Sequence, residues 1–360
     1  MMSTPRSGNI TQLEIARRLG VHQTTVSAIL SGNSTKKFSP AMRKRILSAA
    51  KRLGYRPSAP ARILRGARSG LIGIFHFGRD KDVESKRLGE IIDAIHEAGY
   101  HPLAMPMDTK VMSLQKDEIP ACSVMLDARV EGLILSGFAD DFDLSQLERF
   151  RAAHIPIVSI SGIKLPGIPL YAADREQAAY DATSHLIMEG RKKLLYLHRW
   201  SSNLTDLAKA TAFAAIKGFE KAAKKHGLKK SNAKIHTDPS TPKRNYYEAA
   251  GLAVHDALQK DPDLDAVLCY DDTWALGVYS YCQRAGISIP KDIAVVGFEN
   301  QTISAHLYPT LTSSSQPHQD MASIAVKTLV GTLQNPHPEL PDEIFLFPCK
   351  LITRESSKGS

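Results

Sequence analysis

Gln23 and Thr24 are short polar side chains near the start of a predicted helix, directly after a glycine-containing turn. Side chains of this kind form hydrogen bonds with base edges in the major groove of DNA. Hydroxyl groups close by could hold phosphates, which fix the register of a protein on DNA; they belong to Thr11, Thr25 and Ser27. The first group of candidate residues therefore indicates nucleic-acid chemistry.

Asp271, Asp272 and Trp274 form a second group. Carboxylates accept hydrogen bonds from hydroxyl or ammonium groups, and an indole can stack on a sugar face or a cation. The simpler alternatives are that an aspartate caps the helix that follows and that Trp274 lies in the core. No partner for acid–base catalysis can be argued, and G-x-G-x-x-G, P-loop and G-x-S-x-G motifs are missing, so we expect no enzyme activity.

The four cysteines, Cys122, Cys269, Cys282 and Cys349, show no C-x-x-C pairing, and no histidines lie at zinc-ligand spacing. We therefore expect neither a metal nor a cofactor, and we expect reduced thiols of the kind found in the cytosol. The N-terminus lacks the apolar core of a signal peptide, and the longest apolar stretches are too short to span a bilayer. The sequence thus predicts a cytoplasmic protein that does not contact a membrane.

The positive charge is concentrated at one end of the 360-residue chain. Residues 1–69 carry fourteen Lys or Arg and one acidic residue, Glu14, whereas the rest carries 32 basic and 36 acidic residues. A compact basic segment on a nearly neutral body is typical of a nucleic-acid binder. A solvated basic tail is the alternative, but the apolar periodicity of this segment argues against it.

Three short helices are predicted in the basic segment. Thr11 and Glu14 have the spacing of a capping box, and Gly20 should end the first helix. A second helix should begin near His22, with Val26, Ile29 and Leu30 on its apolar face. Ser39-Pro40 predicts the start of a third helix that ends at Gly54 and has a basic outer face of Arg43, Lys44, Arg45, Lys51 and Arg52. The first two helices form a helix-turn-helix unit, and docking of this hairpin on another domain is the structural alternative.

The runs ITQLEIARRLGVHQTTVSAILSG and FSPAMRKRILSAAKRLGYRPSAPARILRGARSGLIGI resemble the DNA-binding domain and hinge of the lactose/galactose repressor (LacI/GalR) family. The features that match are V-x-x-x-T-V-S, L-G-Y-x-P and A-R-x-L-R. The resemblance implies a hinge helix from which Leu64 wedges into the minor groove and kinks the DNA. The DNA-contacting set that it implies is Thr11, His22, Gln23, Thr24, Thr25, Ser27, Ala28, Tyr55, Arg62, Leu64 and Arg65.

The basic segment departs from the family pattern at two places. Ala28 stands where the family often has an arginine, so it cannot contact guanine in a bidentate manner, although it can touch a thymine methyl group. Ser58 replaces the usual hinge asparagine, and Pro60 lies in the first turn of the expected hinge helix, where proline is tolerated.

The remainder of the chain alternates between strands and helices, which predicts doubly wound parallel sheets in two lobes with a cleft between them. The strands are expected at 71–75, 101–107, 131–136, 155–159, 193–197, 266–270 and 293–298, and the helices at 84–98, 144–153, 177–189, 207–225 and 273–285. The resemblance extends from about residue 10 to residue 354 and implies a periplasmic-binding-protein-like core. We assign residues 9–56 to a helix-turn-helix domain, 57–69 to the hinge and 70–354 to an effector-sensing and dimerisation core. Its first lobe would hold about 70–172 and 315–345, and its second about 173–314 and the C-terminal segment.

In the family, loops at the strand ends contact a small-molecule effector. The matching positions here are Phe77, Phe138, Asp174, Asp271, Trp274 and Glu299. Ala215 stands where sugar-sensing members usually have an arginine, and Glu299 where they have aspartate, which argues against an anionic, phosphate-type effector. A neighbouring Arg175 or Lys209 could, however, supply the missing charge.

The expected function is therefore transcriptional repression by a homodimer that binds an inverted-repeat operator in double-stranded DNA. The effector would be a sugar or a related metabolite, and nucleoside or purine sensing stays open. The alternative is a small-molecule binding protein without a DNA function, which would require export.

Overall fold

The computed structural model describes residues 10–31, 38–55, 68–77, 82–107, 120–137, 143–200, 206–239, 246–335 and 340–358. The predicted hinge contacts Arg62, Leu64 and Arg65, together with Phe138 of the effector set, lie outside these residues. Two compact units meet in the chain between Ser69 and Gly70, and each is described separately below.

The first unit contains three helices, α1 (Gln12–Leu19), α2 (Gln23–Ser31) and α3 (Pro40–Arg52). Thr11 caps α1 by accepting a hydrogen bond from the backbone N–H of Glu14 at 3.2 Å. The Glu14 carboxylate accepts a bond from Arg18 at 2.9 Å rather than reaching back to Thr11, so only half of the predicted capping box forms. Gly20 ends α1 in the left-handed region (φ 66°), which glycine adopts without strain.

The core of this unit is made by the apolar faces of all three helices. Its buried residues are Ile15, Ala16, Val26, Ile29, Ile46 and Ala50. Val26 and Ile29 lie three residues apart in α2, and Ile46 and Ala50 lie four apart in α3, which places each pair on one face of its helix. A hydrogen bond also joins α3 to α1, since the Arg45 guanidinium donates to the carbonyl of Leu19 at 3.1 Å.

The second unit is an α/β structure with twelve strands in its described residues. The strands are β1 (Leu71–Phe77), β2 (His101–Met107), β3 (Gly132–Ser136), β4 (Ile157–Ile160), β5 (Leu170–Ala173), β6 (Leu194–Trp200), β7 (Ala233–Pro239), β8 (Ala266–Cys269), β9 (Ala294–Phe298), β10 (Thr312–Ser315), β11 (Ile344–Phe347) and β12 (Lys350–Ile352). The helices are α4 (Asp82–Glu97), α5 (Pro120–Asp127), α6 (Ser145–Ala152), α7 (Arg175–Met188), α8 (Asp206–Lys225), α9 (Tyr246–Lys260), α10 (Asp272–Ala285) and α11 (His318–Gln334).

The strands form two six-stranded sheets, in the orders β11-β5-β4-β3-β1-β2 and β12-β10-β9-β8-β6-β7. All pairings are parallel except that of β12 with β10, which is antiparallel. The predicted parallel architecture is thus confirmed with one correction at an edge, where the chain returns directly from the other sheet. In each sheet the winding direction reverses at one point, between β1 and β3 in the first sheet and between β6 and β8 in the second.

The sheets define two lobes, and the chain passes between them after β5, after β10 and after β11. Apolar side chains cover both faces of each sheet, as central parallel strands require. Among the described residues, no helix combines the length and the apolar composition needed to cross a bilayer.

Candidate functional site

The candidate DNA-contacting residues of α2 lie on its solvent face. Val26 and Ile29 are buried in the core of the first unit, whereas Gln23 and Thr24 are exposed at the first turn of the helix. Ser27 and Ala28 are half-buried along the same face. The first turn of α2 therefore presents polar groups to solvent, in the place where a recognition helix meets base edges.

His22 orders the threonine that follows it. Its ring Nδ1 lies 2.8 Å from the Thr24 hydroxyl and 3.4 Å from the Thr24 backbone nitrogen. The imidazole therefore holds the first turn of α2 and fixes the rotamer of a candidate base-contacting side chain. Spacing alone indicates only that His22 is close to the helix start, so this positioning role is visible only in the structure.

The basic outer face of α3 divides into two kinds of residue. Arg43, Lys44, Lys51 and Arg52 are exposed and offer their charges to solvent. Arg45 instead ties α3 to the end of α1 through the Leu19 carbonyl. Of the other candidates, Thr11 is exposed but uses its hydroxyl as a helix cap, and Tyr55 is half-buried against the core of the first unit.

In the first lobe, a buried arginine lies at the point where the winding direction reverses. His76 of β1 pairs with Ser136 of β3 in the sheet register. The Arg87 guanidinium reaches over this point from α4, and its Nε donates to the Ser136 hydroxyl at 3.1 Å. Gly137 leaves room for it, since a Cβ at that residue would lie 2.9 Å from the guanidinium.

Two histidines accompany Arg87. Burial, and then the charge of Arg87, lowers the pKa of His76. The same causes, with Lys86 added, lower the pKa of His318 to about 3. His318 is 3% exposed, and neither of its ring nitrogens has a hydrogen-bond partner among the described residues. Both rings are neutral at physiological pH, so each offers one donor and one acceptor.

The second lobe has a corresponding arrangement. Arg175, at the start of α7, donates to the Tyr270 carbonyl at 2.9 Å. Its guanidinium carbon lies 4.7 Å from the ring centroid of Tyr270 and 4.0 Å from that of Phe298. Tyr270 directly follows β8, and Phe298 is the last residue of β9. The guanidinium therefore lies at the carboxyl edge of the second sheet.

His198 of β6 completes this arrangement. The centroid of its ring lies 5.7 Å from that of Tyr270 and 6.0 Å from that of Phe213. The His198 and Phe213 rings are stacked, with an angle of 25° between their planes. The residue is fully buried, and no described residue is bonded to either ring nitrogen. Burial, and then the charge of Arg175, lowers the pKa of His198 to about 4, so this ring is also neutral.

Glu299 follows β9 and lies within electrostatic reach of both Arg87 and Arg175, which belong to different lobes. Its backbone has φ 104°, a conformation that costs a non-glycine residue energy and occurs preferentially at functional sites. One carboxylate oxygen accepts a bond from the side chain of Gln301 at 2.9 Å. Among the predicted effector residues that the structure describes, Glu299 is the one placed between the lobes.

The other predicted effector residues within the described ranges have structural roles. Trp274 is 1% exposed in the core of the second lobe, which matches the alternative that the sequence left open. Phe77 is likewise buried in the first lobe. Asp174 and Asp271 cap α7 and α10 by accepting bonds from the N–H groups of residues 177 and 274, each at 2.9 Å.

Asp272, beside this cap, is a buried carboxylate that the sequence did not distinguish from Asp271. One oxygen accepts a bond from the Ser313 hydroxyl at 2.6 Å, and the other accepts from the Ser304 hydroxyl at 2.6 Å and the Gln301 N–H at 2.7 Å. Burial raises the pKa of Asp272 to about 6 despite these bonds. The carboxylate thus fixes the segment that follows Glu299.

A cavity of about 200 Å³ lies between the lobes, next to Glu299. Asp82 and Lys86 line it from α4, opposite Asn300, His306 and Arg354. The lobes also touch here, because the Asp82 carboxylate accepts a bond from the Thr302 N–H at 2.8 Å. That bond lowers the pKa of Asp82. The described residues contain no cluster of His, Cys, Asp or Glu that could hold a metal ion.

Comparisons with known proteins agree with both units. Residues 11–58 match the lacI family of bacterial regulatory proteins, and residues 183–357 match the periplasmic binding protein-like domain. Catabolite control protein A of Priestia megaterium is 28% identical over 356 residues, which cover 97% of this chain and 100% of that protein.

Solved structures show the same fold. The Lac repressor dimer bound to operator and the anti-inducer ONPF superposes with a TM-score of 0.77 at 20% identity, over 98% of this chain and 100% of that chain. The cellobiose complex of the transcriptional regulator CelR gives 0.64 at 22% identity, over 97% and 100%.

A helix-turn-helix unit joined to a two-lobed α/β body defines this chain as a DNA-binding transcriptional regulator. Residues 11–58 carry the DNA-binding domain of the lacI family of bacterial regulatory proteins, and residues 183–357 form a periplasmic binding protein-like domain. The family and the fold class predicted from the sequence are thereby confirmed.

Proposed function

We propose that this regulator is a repressor that binds an inverted-repeat operator as a homodimer and responds to a carbohydrate-like effector held between its lobes. The observation that carries the proposal is the exposed polar first turn of α2, seated on a buried three-helix core within the basic segment. Residues 9–56 would bind DNA, 57–69 would form the hinge, and 70–354 would sense the effector and dimerise, in the two lobes predicted from the sequence.

The proposed operator symmetry follows from the size of the DNA-contacting surface. One α2 helix reads only a short half-site, so specificity requires two copies related by a twofold axis. The Lac repressor structure named above is a dimer bound to operator, which supports the same arrangement for this chain. The proposal places the protein in the cytoplasm, where its DNA target is accessible.

The effector assignment rests on the cavity and on the buried polar groups around Glu299. Ligands of doubly wound sheets bind at the carboxyl ends of strands, where the winding direction reverses. Arg87 and Arg175 lie at these two points. Cellobiose is bound in the CelR complex, which supports a carbohydrate-like ligand here. Regulation rather than catalysis is the proposed role, since the related solved structures are described as a repressor and a transcriptional regulator.

Selection of binding sites from random DNA tests the proposal directly. The full chain should enrich an inverted repeat, and its affinity should fall on the order of 10³-fold between 50 and 200 mM salt if about six phosphates are contacted. A variant that begins at Gly70 should lose DNA binding. Enrichment of no sequence, or an equal shift of operator DNA by the shortened chain, would refute the proposal, and sedimentation of free and DNA-bound protein as a monomer would refute the dimer.

A further inference from the structure

We infer that the effector is an anionic carbohydrate, one that carries a carboxylate or a phosphate group, and that Arg87, Arg175 and His198 bind the charged group. The inference rests on the proposed effector function and assigns the chemical class of the ligand. It reverses the expectation drawn from Ala215 in the sequence.

Position is the first argument. Arg87 lies over the junction of β1 and β3, where its Nε donates to Ser136, and Arg175 lies against Tyr270, directly after β8. These are the points in the two sheets where the winding direction reverses, and therefore where the crevices for ligands open. Each lobe thus places a guanidinium at its own crevice.

Charge balance is the second argument. Arg175 has one carboxylate, that of Glu299, among the described groups that influence it electrostatically; the others are the hydroxyls of Tyr196 and Tyr270 and the thiol of Cys349. Burial raises the pKa of Cys349 to about 12, so its thiol is neutral. The Glu299 carboxylate also interacts electrostatically with Arg87. The other acidic neighbour of Arg87 is Glu84, which lies one turn earlier on the same helix, α4.

Buried charges are stable only when they are paired. Arg87 has both Glu84 and Glu299 within electrostatic reach, whereas the carboxylate near Arg175 is that of Glu299, which Arg87 shares. A negative charge on the ligand would give Arg175 a partner of its own. Guanidinium groups also match carboxylate and phosphate oxygens in geometry, through paired N–H donors.

The environment of the His198 imidazole also favours an anionic ligand. His198 is fully buried beside Arg175, and both of its ring nitrogens lack hydrogen-bond partners among the described residues. Such a group costs folding free energy unless a ligand completes its bonds. A neutral ring next to a fixed cation can donate its N–H to an anionic oxygen that the cation also attracts.

Ala215 fits this arrangement. It lines a small cavity in the second lobe together with Arg175, Tyr270 and Phe298. Residue 215, where the family usually has an arginine, is therefore an alanine. Arg175 of α7 lies beside it. The charge is supplied from a different element by Arg175, which the sequence had offered for this role together with Lys209.

Matched ligands test the inference on the full chain. Thermal shift and calorimetry would compare glucose with glucuronate and glucose 6-phosphate, galactose with galacturonate, and ribose with ribose 5-phosphate. At least one acidic member should bind and raise the melting temperature while its neutral counterpart does not. The uronates and the phosphates distinguish the two kinds of anion.

Variants then assign the residues. Arg175→Gln and Arg87→Gln should each weaken binding of the acidic ligand by about 10- to 100-fold, the loss expected for a charge-assisted hydrogen bond. Arg175→Lys keeps the charge and should retain part of the affinity. Arg284→Gln, at an exposed arginine in the last turn of α10, is the control and should leave affinity unchanged.

His198→Phe separates ligand binding from stability. The substitution should weaken binding of the acidic ligand without lowering the melting temperature of the free protein, because it removes from an aromatic environment two nitrogens that have no partner among the described residues. A purely structural histidine would give unchanged affinity.

The inference is overturned if a neutral sugar binds and its acidic counterparts do not, if no acidic member binds, or if Arg175→Gln and Arg87→Gln both bind the acidic ligand as the parent does. Each of these results leaves operator selection by the full chain intact. Loss of operator selection would instead overturn the proposed function.

Discussion

Asp272→Asn is expected to stabilise the protein above pH 6 and to change the pH dependence of its unfolding. Burial raises the pKa of the Asp272 carboxyl from its ordinary value of 3.8 to about 6. The folded state therefore binds the proton more tightly than the unfolded state does. The stability that this group contributes is fully present below pH 3.8 and is lost as the pH rises to about 6.

The size of the effect follows from that pKa. A tenfold change in proton affinity corresponds to roughly 1.4 kcal/mol, so ionisation of Asp272 at pH 7 costs about 3 kcal/mol relative to the protonated state. An asparagine is uncharged at every pH and can still accept bonds from Ser304 and the Gln301 N–H while it donates to Ser313. Its advantage over aspartate should therefore grow by roughly 2.4 kcal/mol between pH 4 and pH 8, since part of the unfolded-state carboxyl is already ionised at pH 4.

Urea unfolding of both proteins at several pH values measures this difference. Subtracting the free energy of unfolding of one protein from that of the other at each pH removes the contribution of other titrating groups. These include His198 and His318, whose low pKa values oppose folding in acid. Asp256→Asn, at an exposed residue of α9, is the matched control and should show a constant difference. If the Asp272→Asn difference were equally constant from pH 4 to pH 8, the assignment of a raised pKa to this carboxyl would be refuted.

Three further predictions concern packing and DNA binding. Gly218→Ala should destabilise the second lobe by about 1–3 kcal/mol, because its Cβ would lie 1.9 Å from the carbonyl oxygen of Glu176. Gly331→Ala is the control: this helical residue has open space around it, and the substitution should stabilise the protein by about 0.5–1 kcal/mol. Equal melting temperatures for the two variants would contradict this. Gln23→Ala should relax base preference at one operator position by about 1–3 kcal/mol, measured by competition between operator variants, and an unchanged preference would exclude base contact. Leu64→Ala should reduce operator bending and affinity while leaving the melting temperature unchanged; normal bending at unchanged affinity would exclude the minor-groove wedge.

Local sequence signals determined most of the first unit. Thr11, Gly20 and the Ser39-Pro40 pair mark helix ends through bonds and backbone angles within three residues of themselves, so the predicted and observed boundaries nearly coincide. The half-formed capping box shows the limit of such signals, since Glu14 had a nearby arginine as an alternative partner.

In the body, the sequence predicted long apolar strands and periodic helices but not several short or weakly patterned elements. Strands β5, β10 and β12 have three or four residues, and β11 is an edge strand with alternating exposure, so none has a strong pattern of its own. Their sheet membership is decided by pairing with strands far away in the chain. The antiparallel pairing of β12 depends on its return from the other lobe.

The candidate site divides in the same way. Residue type and spacing, together with family resemblance, were enough to predict a DNA-contacting helix and to select Glu299. They could not show that Trp274 is core, that Asp272 rather than Asp271 is the perturbed carboxylate, or that Arg87 and Arg175 approach Glu299 from opposite lobes. Burial and electrostatic environment depend on which segments the two sheets bring together, and that is a property of the tertiary structure rather than of any local stretch of sequence.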